Sequence, residues 1–401
     1  MEVRQPVSSP RCALCLSQPA RIHTMTVPSL SRRSFVAGGL AALVDLSAFG
    51  PPSTRPDTAS PPPLPDIGDE GPWDYWASGQ GAGVVRIAAA AILSASPYDT
   101  QPWLFRLRST HIEVLADKNR NLGELDPFRR ELYMGLGCAI ENACVAAPAQ
   151  GFNPVVRLLP ESPAGNDNLA AAIELRPTRQ AKHPYHDAIA RRHTNRLPYD
   201  TDRKIDQATL DALAGLASSA DVQVIFLEAT SPGGTVFTDL MMQATQLIID
   251  TPDLREGRWA GLRAIAANPS ALSAEALQRA DANWLKATRT VACATAAAFG
   301  LIMVRGTRQD HRLHIEAGRL WQRIHLDGTN RDLAMQPMNH FVEVIDHETR
   351  TLETSRTSST IRAALQQDWN GWEPIFGFRL GYAGAMAPRS PRRPLSSIVV
   401  T

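Results

Sequence analysis

Residues Ser96-Pro97-Tyr98-Asp99-Thr100-Gln101-Pro102-Trp103 are the most distinctive stretch of the sequence. They follow an apolar helical pattern over Val84–Ser94 and lead into an alternating pattern, Trp103–Leu107, that is typical of a β-strand. Small polar residues between two prolines can form a rigid loop that holds backbone groups against a flat ligand. An ordinary helix-to-strand loop with a buried Trp103 fits the same pattern, and the stretch alone does not separate the two interpretations.

Helix and strand patterns alternate on both sides of this loop. Further strands are predicted at Ile112–Ala116, Val155–Leu159, Ala170–Leu175, Val222–Leu227 and Phe376–Tyr382. Helices are predicted from the N-cap and proline of Asp126-Pro127 to a C-capping Gly151, over Pro184–Arg192 and Gln207–Leu216, in Ala-rich stretches that reach about Leu333, and over Ile361–Gln367. Alternation of this kind predicts an α/β or α+β fold.

One internal comparison relates two of the predicted helices. Residues Gly137, Glu141, Val145 and Phe152 align with Gly318, Gln322, Leu326 and Leu333 at one constant offset without a gap. Both stretches read as a glycine, a polar residue, an aliphatic residue and a hydrophobic residue after the helix. Two unrelated amphipathic helices could also give this pattern by chance.

The composition excludes several classes of protein. Of 401 residues, 44% are hydrophobic and 20% are charged, so the chain can bury a large core and wholesale disorder is excluded. Lys and Arg number 41 against 40 Asp and Glu, a net charge of +1 that argues against nucleic acid as a partner. No window approaches twenty uninterrupted apolar residues, so no stable membrane insertion is expected.

The N-terminal region is predicted to be a targeting segment and not part of the folded domain. Ser31–Val36 resembles a twin-arginine export signal and precedes a short apolar stretch, Ala37–Leu46. Asp45 within that stretch departs from the pattern, and Met25 is a candidate start. We expect export to the periplasm or cell envelope through the twin-arginine machinery if the signal is used, and a cytoplasmic protein if it is a chance arginine pair.

The expected organisation has four parts. They are an extension with the signal at 1–50, a Pro-rich linker at 51–72, a first half at 73–180 and a second half at 181–401. An inserted helical segment at about 255–300 lies within the second half. It could form a lid or simply pack as helices.

Two arginine clusters are candidate anion sites. Arg191–Arg196 holds three guanidiniums and one hydroxyl within six residues, a set that suits a phosphate because arginine offers paired donors. Pro388–Leu395 places arginines between prolines near the C-terminus. For both clusters the alternative is a solvated basic surface.

Together these motifs resemble the nitroreductase family of FMN-dependent oxidoreductases. They are most similar to its Acg-like subgroup, in which two nitroreductase-type halves are fused in one chain. The resemblance extends from about Val84 to Leu395 and includes the Gln336–Asn339 turn. It implies an α+β fold, a nitroreductase-like single-chain pseudo-dimer whose two degenerate halves each hold a mixed sheet flanked by helices.

The resemblance also implies which residues bind FMN. Arg192, Thr194 and Arg196 match the family's arginine motif for the phosphate, ribityl chain and pyrimidine edge, and Arg392 or Arg393 matches its C-terminal basic pair. The loop that the opposite half lays along the flavin is matched by Ser96, Pro97 and Asp99, with Gln101 beside them. The turn facing the flavin N5 edge is matched by Asn339 and His340. No metal is implied.

The order of these motifs predicts one FMN per chain and a monomer. The loop occurs in the first half and the arginine motif opens the second, and neither is repeated. Asp99 stands where the family favours Asn. Beside a flavin that becomes anionic on reduction, this carboxylate would lower the reduction potential or have its own pKa raised.

The predicted activity is hydride transfer from NAD(P)H through FMN N5 to an electron-poor small molecule such as a nitroaromatic or a quinone. The alternative is an FMN-binding storage or sensing protein with little or no turnover. A metal hydrolase is a third interpretation, based on His311, His314 and Glu316, but this spacing lacks the hydrolase glutamate and fits a polar helix face better.

Overall fold

Two four-stranded antiparallel sheets form the framework of the protein. The computed structural model describes residues 71–159, 168–265, 272–351, 357, 359–360, 363 and 371–400. The chain divides into two units, Met1–Arg55 and Pro56–Thr401, and all described residues belong to the second. Outside the described residues lie the predicted export signal and most of the linker. The predicted helix Ile361–Gln367 also lies outside them, except for Ala363.

The two sheets have the same strand order. The first sheet, in the order β1-β2-β4-β3, consists of β1 (Trp103–Arg108), β2 (His111–Ala116), β3 (Phe152–Leu158) and β4 (Leu169–Pro177). The second, in the order β5-β6-β8-β7, consists of β5 (Val222–Glu228), β6 (Ala298–Arg305), β7 (Ala334–Pro337) and β8 (Trp372–Gly381). Helices accompany both sheets, so the predicted α+β class is confirmed.

The helices vary from single turns to five turns. They are α1 (Gly71–Ala77), α2 (Gly83–Ala91), α3 (Arg130–Ala146), α4 (Ala188–Arg191), α5 (Gln207–Ala214), α6 (Pro232–Asp250), α7 (Pro252–Ile265), α8 (Ala274–Ala287), α9 (His311–Asn330) and α10 (His340–Arg350). A π-helical turn, Thr288–Cys293, continues α8.

Each sheet makes one parallel contact with a segment that comes after the other sheet in the sequence. All the strand-to-strand ladders of the described residues are antiparallel. Thr194, which follows β4, bridges in parallel to Met335 in β7, and Val399, which follows β8, bridges in parallel to Phe105 in β1. The parallel component of each sheet is therefore a single bridge at an edge strand.

Helices α3 and α9 cross at a pair of glycines. A Cβ on Gly137 would overlap the carbonyl oxygen of Ile315, and a Cβ on Gly318 would overlap that of Met134. The Cys138 thiol lies 3.3 Å from the Gly318 carbonyl oxygen at the same crossing. These two glycines are the pair that the constant offset aligns, so the repeated pattern marks the closest approach of the two helices.

Strand β6 corrects the sequence-based expectation of continuous helices up to about Leu333. All its residues except Arg305 are buried, and it lies between β5 and β8 in the second sheet. An unbroken apolar run has no two-residue periodicity, because both faces of a central strand are covered. The run is therefore not distinguishable from a buried helix by its pattern.

Two predicted helix boundaries also require correction. Helix α3 begins at Arg130 and not at Asp126, although the Asp126 carboxylate accepts hydrogen bonds from the backbone N–H groups of Glu131 and Leu132 at 3.1 and 3.0 Å. Helix α4 is a single turn, shorter than the predicted Pro184–Arg192. The left-handed Gly151 does end the helical segment, after a 3-10 turn.

Candidate functional site

The loop between α2 and β1 has a strained backbone. Tyr98, Asp99 and Gln101 have φ values of 46°, 54° and 49°, in the left-handed region that non-glycine residues rarely adopt. Each such residue costs about 1–3 kcal/mol and persists only where its surroundings fix it. Here the backbone N–H of Gln101 donates to the Ser96 hydroxyl oxygen at 3.1 Å, and that of Thr100 donates to the Pro97 carbonyl at 2.9 Å. Strain held in this way is typical of functional loops.

The side chain of Gln101 attaches this loop to the C-terminal arginine segment. Its Oε1 accepts from the backbone N–H of Arg393 at 2.8 Å, and its Nε2 donates to the Pro391 carbonyl at 3.2 Å. Gln101 is buried, so these bonds are protected from water. The contacts bring together two motifs that lie about 290 residues apart in the sequence.

Arg392 lies within this junction. Its side chain is 3% exposed and donates to Asp99 Oδ1 at 2.8 Å and to the Ser94 carbonyl at 3.2 Å. The guanidinium also lies 5.0 Å from the ring centroid of Trp73, within cation–π range. Its Nε has no hydrogen-bond partner among the described residues, so one donor remains for a ligand.

Arg192 is buried and makes no ion pair within the described part of the chain. Its two terminal nitrogens donate to the Leu93 carbonyl at 3.1 Å and to His325 Nδ1 at 3.4 Å, and its Nε is unsatisfied. Burial, together with repulsion from Arg392, lowers the pKa of Arg192 to about 9. His325 must therefore be neutral with Nδ1 as acceptor, while its Nε2 donates to the His193 carbonyl at 3.2 Å.

The surroundings of Asp99 carry an excess of positive charge. Arg392, Arg192 and Arg196 all favour the ionised form of this carboxyl, yet burial outweighs them and the pKa of Asp99 is raised. Three guanidiniums thus face one carboxyl, and two of them hold an unsatisfied Nε. A buried cationic excess with free donors is the environment that a dianionic phosphate would neutralise.

Two residues of the predicted set have other partners. Arg393 contacts Asp117 at 3.4 Å and the Gln101 carbonyl at 3.2 Å, so of the two C-terminal arginines Arg392 is the one placed beside Arg192. Thr194 contributes its backbone to the bridge with Met335.

Asn339 precedes helix α10, and both ends of its side-chain amide are bound. Nδ2 donates to Glu131 Oε1 at 3.1 Å, and Oδ1 accepts from the backbone N–H of Gly377 at 3.0 Å. The amide is buried, and its orientation is fixed by one partner from α3 and one from β8. Glu131 is thus a direct neighbour of the predicted site.

His340 is neutral with its proton on Nδ1. The Thr245 hydroxyl donates its single proton to the Met241 carbonyl at 2.6 Å, so it must accept from His340 Nδ1, also at 2.6 Å. Burial and the nearby Arg258 lower the pKa of His340 to about 3. Its Nε2 is therefore an acceptor at neutral pH, and this imidazole cannot serve as an acid there.

Tyr98 connects the arginines to the start of α10. Burial, Glu343 and Glu131 raise its pKa well above the ordinary value, while Arg258 and Arg196 act in the opposite direction. The phenol thus lies within electrostatic reach of both groups of residues. The residues within this reach of Tyr98 define the region around it, namely Arg196, Arg258, Glu131 and Glu343.

Helices α7 and α8 cover this region. Gly261 on α7 packs so closely on the Tyr98 ring that an added Cβ would lie 3.3 Å from it. Trp284 on α8 meets His340 edge-on, with ring centroids 4.4 Å apart. A buried ion pair between Arg258 and Asp281 joins the two helices. Two helices of the predicted insert at 255–300 therefore pack on Tyr98 and His340, and the C-terminal end of the insert is the first part of β6.

Several residues of this site were not singled out from the sequence. They are Trp73, Glu131, Arg258, Trp284 and His325. Tyr98 was visible in the loop motif, but its role depends on contacts with α7 and α10. Trp73 belongs to an aromatic-rich stretch, Trp73–Trp76, that could have served as a signal in the sequence. In the structure its indole Nε1 donates to the Ser390 carbonyl at 2.8 Å within the arginine segment.

The histidines considered for a metal site have structural partners. His314 Nε2 lies 2.8 Å from the Arg308 carbonyl, and His311 stacks on Tyr133 with ring centroids 3.9 Å apart. Within the described ranges no group of three or more potential metal-binding side chains is found. Nor does any described helix combine the length and the apolar character needed to cross a bilayer.

Comparison with known proteins finds similar sequences among curated proteins. No protein-family model matches the sequence. Two curated NAD(P)H nitroreductases of Mycobacterium tuberculosis, from strains CDC 1551 / Oshkosh and H37Rv, are each 27% identical over 331 residues, covering 79% of this chain and 90% of the relative.

Solved structures of nitroreductases are similar to part of the chain. The FMN-bound enzyme of Desulfitobacterium hafniense is 13% identical and covers 55% of this chain and 99% of its own, with a TM-score of 0.38. The enzyme of Mycobacterium smegmatis in complex with NADPH is 18% identical and covers 54% and 98%, with a TM-score of 0.37.

Proposed function

We infer that the chain belongs to the nitroreductase family, and on that premise we propose that it is an FMN-dependent NAD(P)H oxidoreductase. Its acceptor would be a small electron-poor molecule such as a nitroaromatic or a quinone. The curated relatives are named for NAD(P)H and nitro reduction and match most of this chain, which supports the donor and the acceptor class.

The observation that carries the proposal is the buried pair Arg192 and Arg392. Both guanidiniums are buried, both keep a free Nε, and the pKa values of both are lowered because burial is not compensated. Asp99 pairs with Arg392 at 2.8 Å and interacts electrostatically with Arg192. A phosphate fits this charge and donor set, so the residues present suit the FMN phosphate end.

The remaining residues have roles that follow from their positions. Arg196 is exposed, acts electrostatically on Tyr98 and Asp99, and would lie along the polar edge of the flavin. The strained loop Ser96–Gln101 would provide a rigid backbone surface, and Gln101 fixes it to the arginine segment. Bound FMN would supply the hydride-carrying chemistry.

Asn339 and His340 would border the reactive end of the site. Neither is available as an acid at neutral pH, because the Asn339 amide is bound at both ends and the pKa of His340 is about 3. The Tyr98 phenol stays protonated, since its pKa is raised well above the usual value. Tyr98 can therefore donate a hydrogen bond to a bound acceptor across the physiological pH range.

Three further features belong to the same proposal. One FMN is held per chain, because Arg192 and Arg392, two buried arginines with a free Nε, meet at the strained loop Ser96–Gln101. The protein acts as a monomer in which two related sheets take the place of two subunits. The export signal at Ser31–Val36 directs the folded protein to the cell envelope.

A second function, FMN storage or sensing with little turnover, is favoured by the covering helices. Trp284 and Gly261 pack directly on His340 and Tyr98, where an acceptor would have to enter. Helices α7 and α8 would then limit access to the flavin.

Steady-state oxidation of NADH and NADPH with a quinone and a nitroaromatic as acceptors tests the proposal. We expect an FMN-loaded protein whose turnover depends on the acceptor. Bound FMN without turnover would favour storage or sensing. Failure to bind FMN after reconstitution would refute both functions.

A further inference from the structure

A buried group of charged side chains lies directly behind Asn339. It contains four carboxyls, Asp126, Glu131, Glu343 and Asp346, none of them more than 3% exposed. The guanidiniums of Arg130 and Arg308 face them from α3 and from the loop before α9. No step of the proposed reaction uses these six residues.

The two guanidiniums do not compensate the four carboxyls. Asp346 accepts from Arg130 at 2.7 Å and from Arg308 at 2.6 Å, so it takes most of the available cationic charge. Glu131 Oε1 lies 3.2 Å from Nη2 of Arg130. Glu343 makes no ion pair with a described residue, and its Oε2 has no hydrogen-bond partner there.

The contact between Glu131 and Glu343 shows where a proton must reside. The two side chains are hydrogen-bonded to each other, and two ionised carboxylates cannot form such a bond because both are acceptors. Glu131 Oε1 already accepts N–H groups from Arg130 and from Asn339, so Glu131 is the acceptor of the pair. Glu343 is therefore the partner that carries the proton.

We propose that Glu343 is a positioning residue: it is protonated at neutral pH, donates to Glu131, and so holds Glu131 as the acceptor that fixes the Asn339 amide. The importance of Asn339 to a flavin rests on the proposed function. The shared proton itself does not depend on that function.

The electrostatic surroundings agree with this arrangement. Burial is the largest cause that raises the pKa of Glu343, and Glu131 and Asp126 add to it, while Arg130 opposes them. Tyr98 in the strained loop also faces the acid pair, and Arg258 on α7 lies within reach of that phenol. The pKa of Asp126 is raised to about 7, again chiefly by burial.

Infrared spectroscopy of the flavin-free protein tests the shared proton. The wild type should show the carbonyl stretch of a protonated carboxylic acid at neutral pH, and Glu343→Gln should lose part of it. The control is Glu141→Gln, since Glu141 is also buried on α3 but pairs with Arg319 at 2.8 Å and Arg323 at 2.9 Å. It should leave the band unchanged. An identical band in Glu343→Gln and the wild type would overturn the proposal.

Unfolding as a function of pH gives a second measurement. The folded-state pKa of Glu343 is raised. Its contribution to the free energy of unfolding is therefore fully present below the unfolded-state pKa and is lost as the pH rises towards the folded-state pKa. The unfolding constant of the wild type should therefore rise, relative to Glu343→Gln, by up to about tenfold per pH unit in that range. Parallel profiles for the two proteins would contradict a proton on Glu343.

The positioning role is tested through Asn339 itself. In the wild type the NMR signal of its side-chain amide should shift as the acid pair titrates, whereas Glu343→Gln, which keeps an N–H donor, should hold the signal constant. A pH-independent amide signal in the wild type would refute positioning through Glu131. These measurements need no flavin, so a failure to bind FMN would remain a separate result.

Discussion

Arg192 shows how a single residue can oppose stability and favour binding. A buried guanidinium without a carboxylate costs several kcal/mol, and the neutral His325 beside it offers only one weak acceptor. Such a group is retained where a ligand completes its environment. Its lowered pKa therefore agrees with the proposed role of Arg192 in binding a phosphate.

Replacing Arg192 by Met is expected to stabilise the flavin-free protein. The folded-state pKa of about 9 is below the unfolded value, so the folded protein binds this proton less tightly and pays a penalty at every pH below about 9. The penalty fades as the pH rises above 9. At pH 7 the variant should gain about 1–3 kcal/mol in the free energy of unfolding.

The same variant should bind FMN at least about 100-fold more weakly, as measured by fluorescence titration. The matched control is Arg319→Met, which removes a partly buried arginine that pairs with Glu141 at 2.8 Å. It should lose stability and keep FMN affinity. A destabilised Arg192→Met protein with unchanged affinity would contradict the assignment of this residue.

Asp99→Asn is expected to raise the reduction potential of the bound flavin. The change removes the one carboxyl among Arg192, Arg196 and Arg392, and so favours added negative charge in the site. One charge at this range is worth about 1–3 kcal/mol, equivalent to some 20–60 mV for a two-electron couple. Equilibration with reference dyes measures the potential, and an unchanged or lower value would contradict the argument.

The local motifs were visible in the sequence, but their partners were not. The loop Ser96–Gln101 and the two arginine clusters could be picked out as stretches with unusual composition. Which of Arg392 and Arg393 faces Arg192 depends on the bonds that Gln101 makes across the fold. Glu131 lies on a helix whose residues are nearly all buried, and nothing in its spacing distinguishes it.

Among the structural elements, α3 and α9 determine how the two sheets are held together. Their closest approach requires glycine on both helices, because a methyl group on either would overlap a backbone carbonyl of the other. Backbone cannot yield in the way that the end of a flexible side chain can.

Gly318→Ala should therefore destabilise the protein by about 3 kcal/mol or more, since the helices must separate. Gly215→Ala at the end of α5 is the control, because its Cβ would lie 3.4 Å from the nearest atom and its φ is ordinary. Chemical denaturation measures both. Equal stability of the two variants would show that the crossing is not tightly packed.

Helices α7 and α8 are expected to control access to the site. Asp281→Ala leaves Arg258 buried without its carboxylate, which costs about 3–5 kcal/mol locally and should loosen the two helices. FMN should then dissociate several-fold faster in stopped-flow measurements. Glu256→Ala, which breaks an exposed pair with Arg263 on α7, should not change that rate. Equal rates in both variants would argue against a covering role.

Strand β1 was predicted from its alternating pattern, and the central strand β6 was not predicted. The burial of β1 alternates with a two-residue period, whereas β8, which covers the predicted Phe376–Tyr382 except for its last residue, is buried from Pro374 to Gly381. β6 is buried on both faces, so tertiary packing and not local pattern decides its conformation. The start of α3 was misplaced because Asp126 caps it from four residues before Arg130.

At the scale of the whole molecule, each sheet is contacted by a segment that comes after the other sheet in the sequence. Val399 reaches back to β1, and Thr194 reaches forward to β7. The same exchange brings Arg392 from the C-terminus and Arg192 from mid-chain to the loop Ser96–Gln101 of the first sheet. This arrangement supports the proposal of one site within a single chain.

The number of flavins bound per chain tests the central claim most directly. Purified protein, reconstituted with FMN and freed of excess, should contain one FMN per chain by absorbance, with the chain a monomer in analytical ultracentrifugation. Arg192→Met should contain almost none. A ratio near two, or no bound flavin in the wild type, would contradict a single site built on Arg192, Arg392 and the Ser96–Gln101 loop.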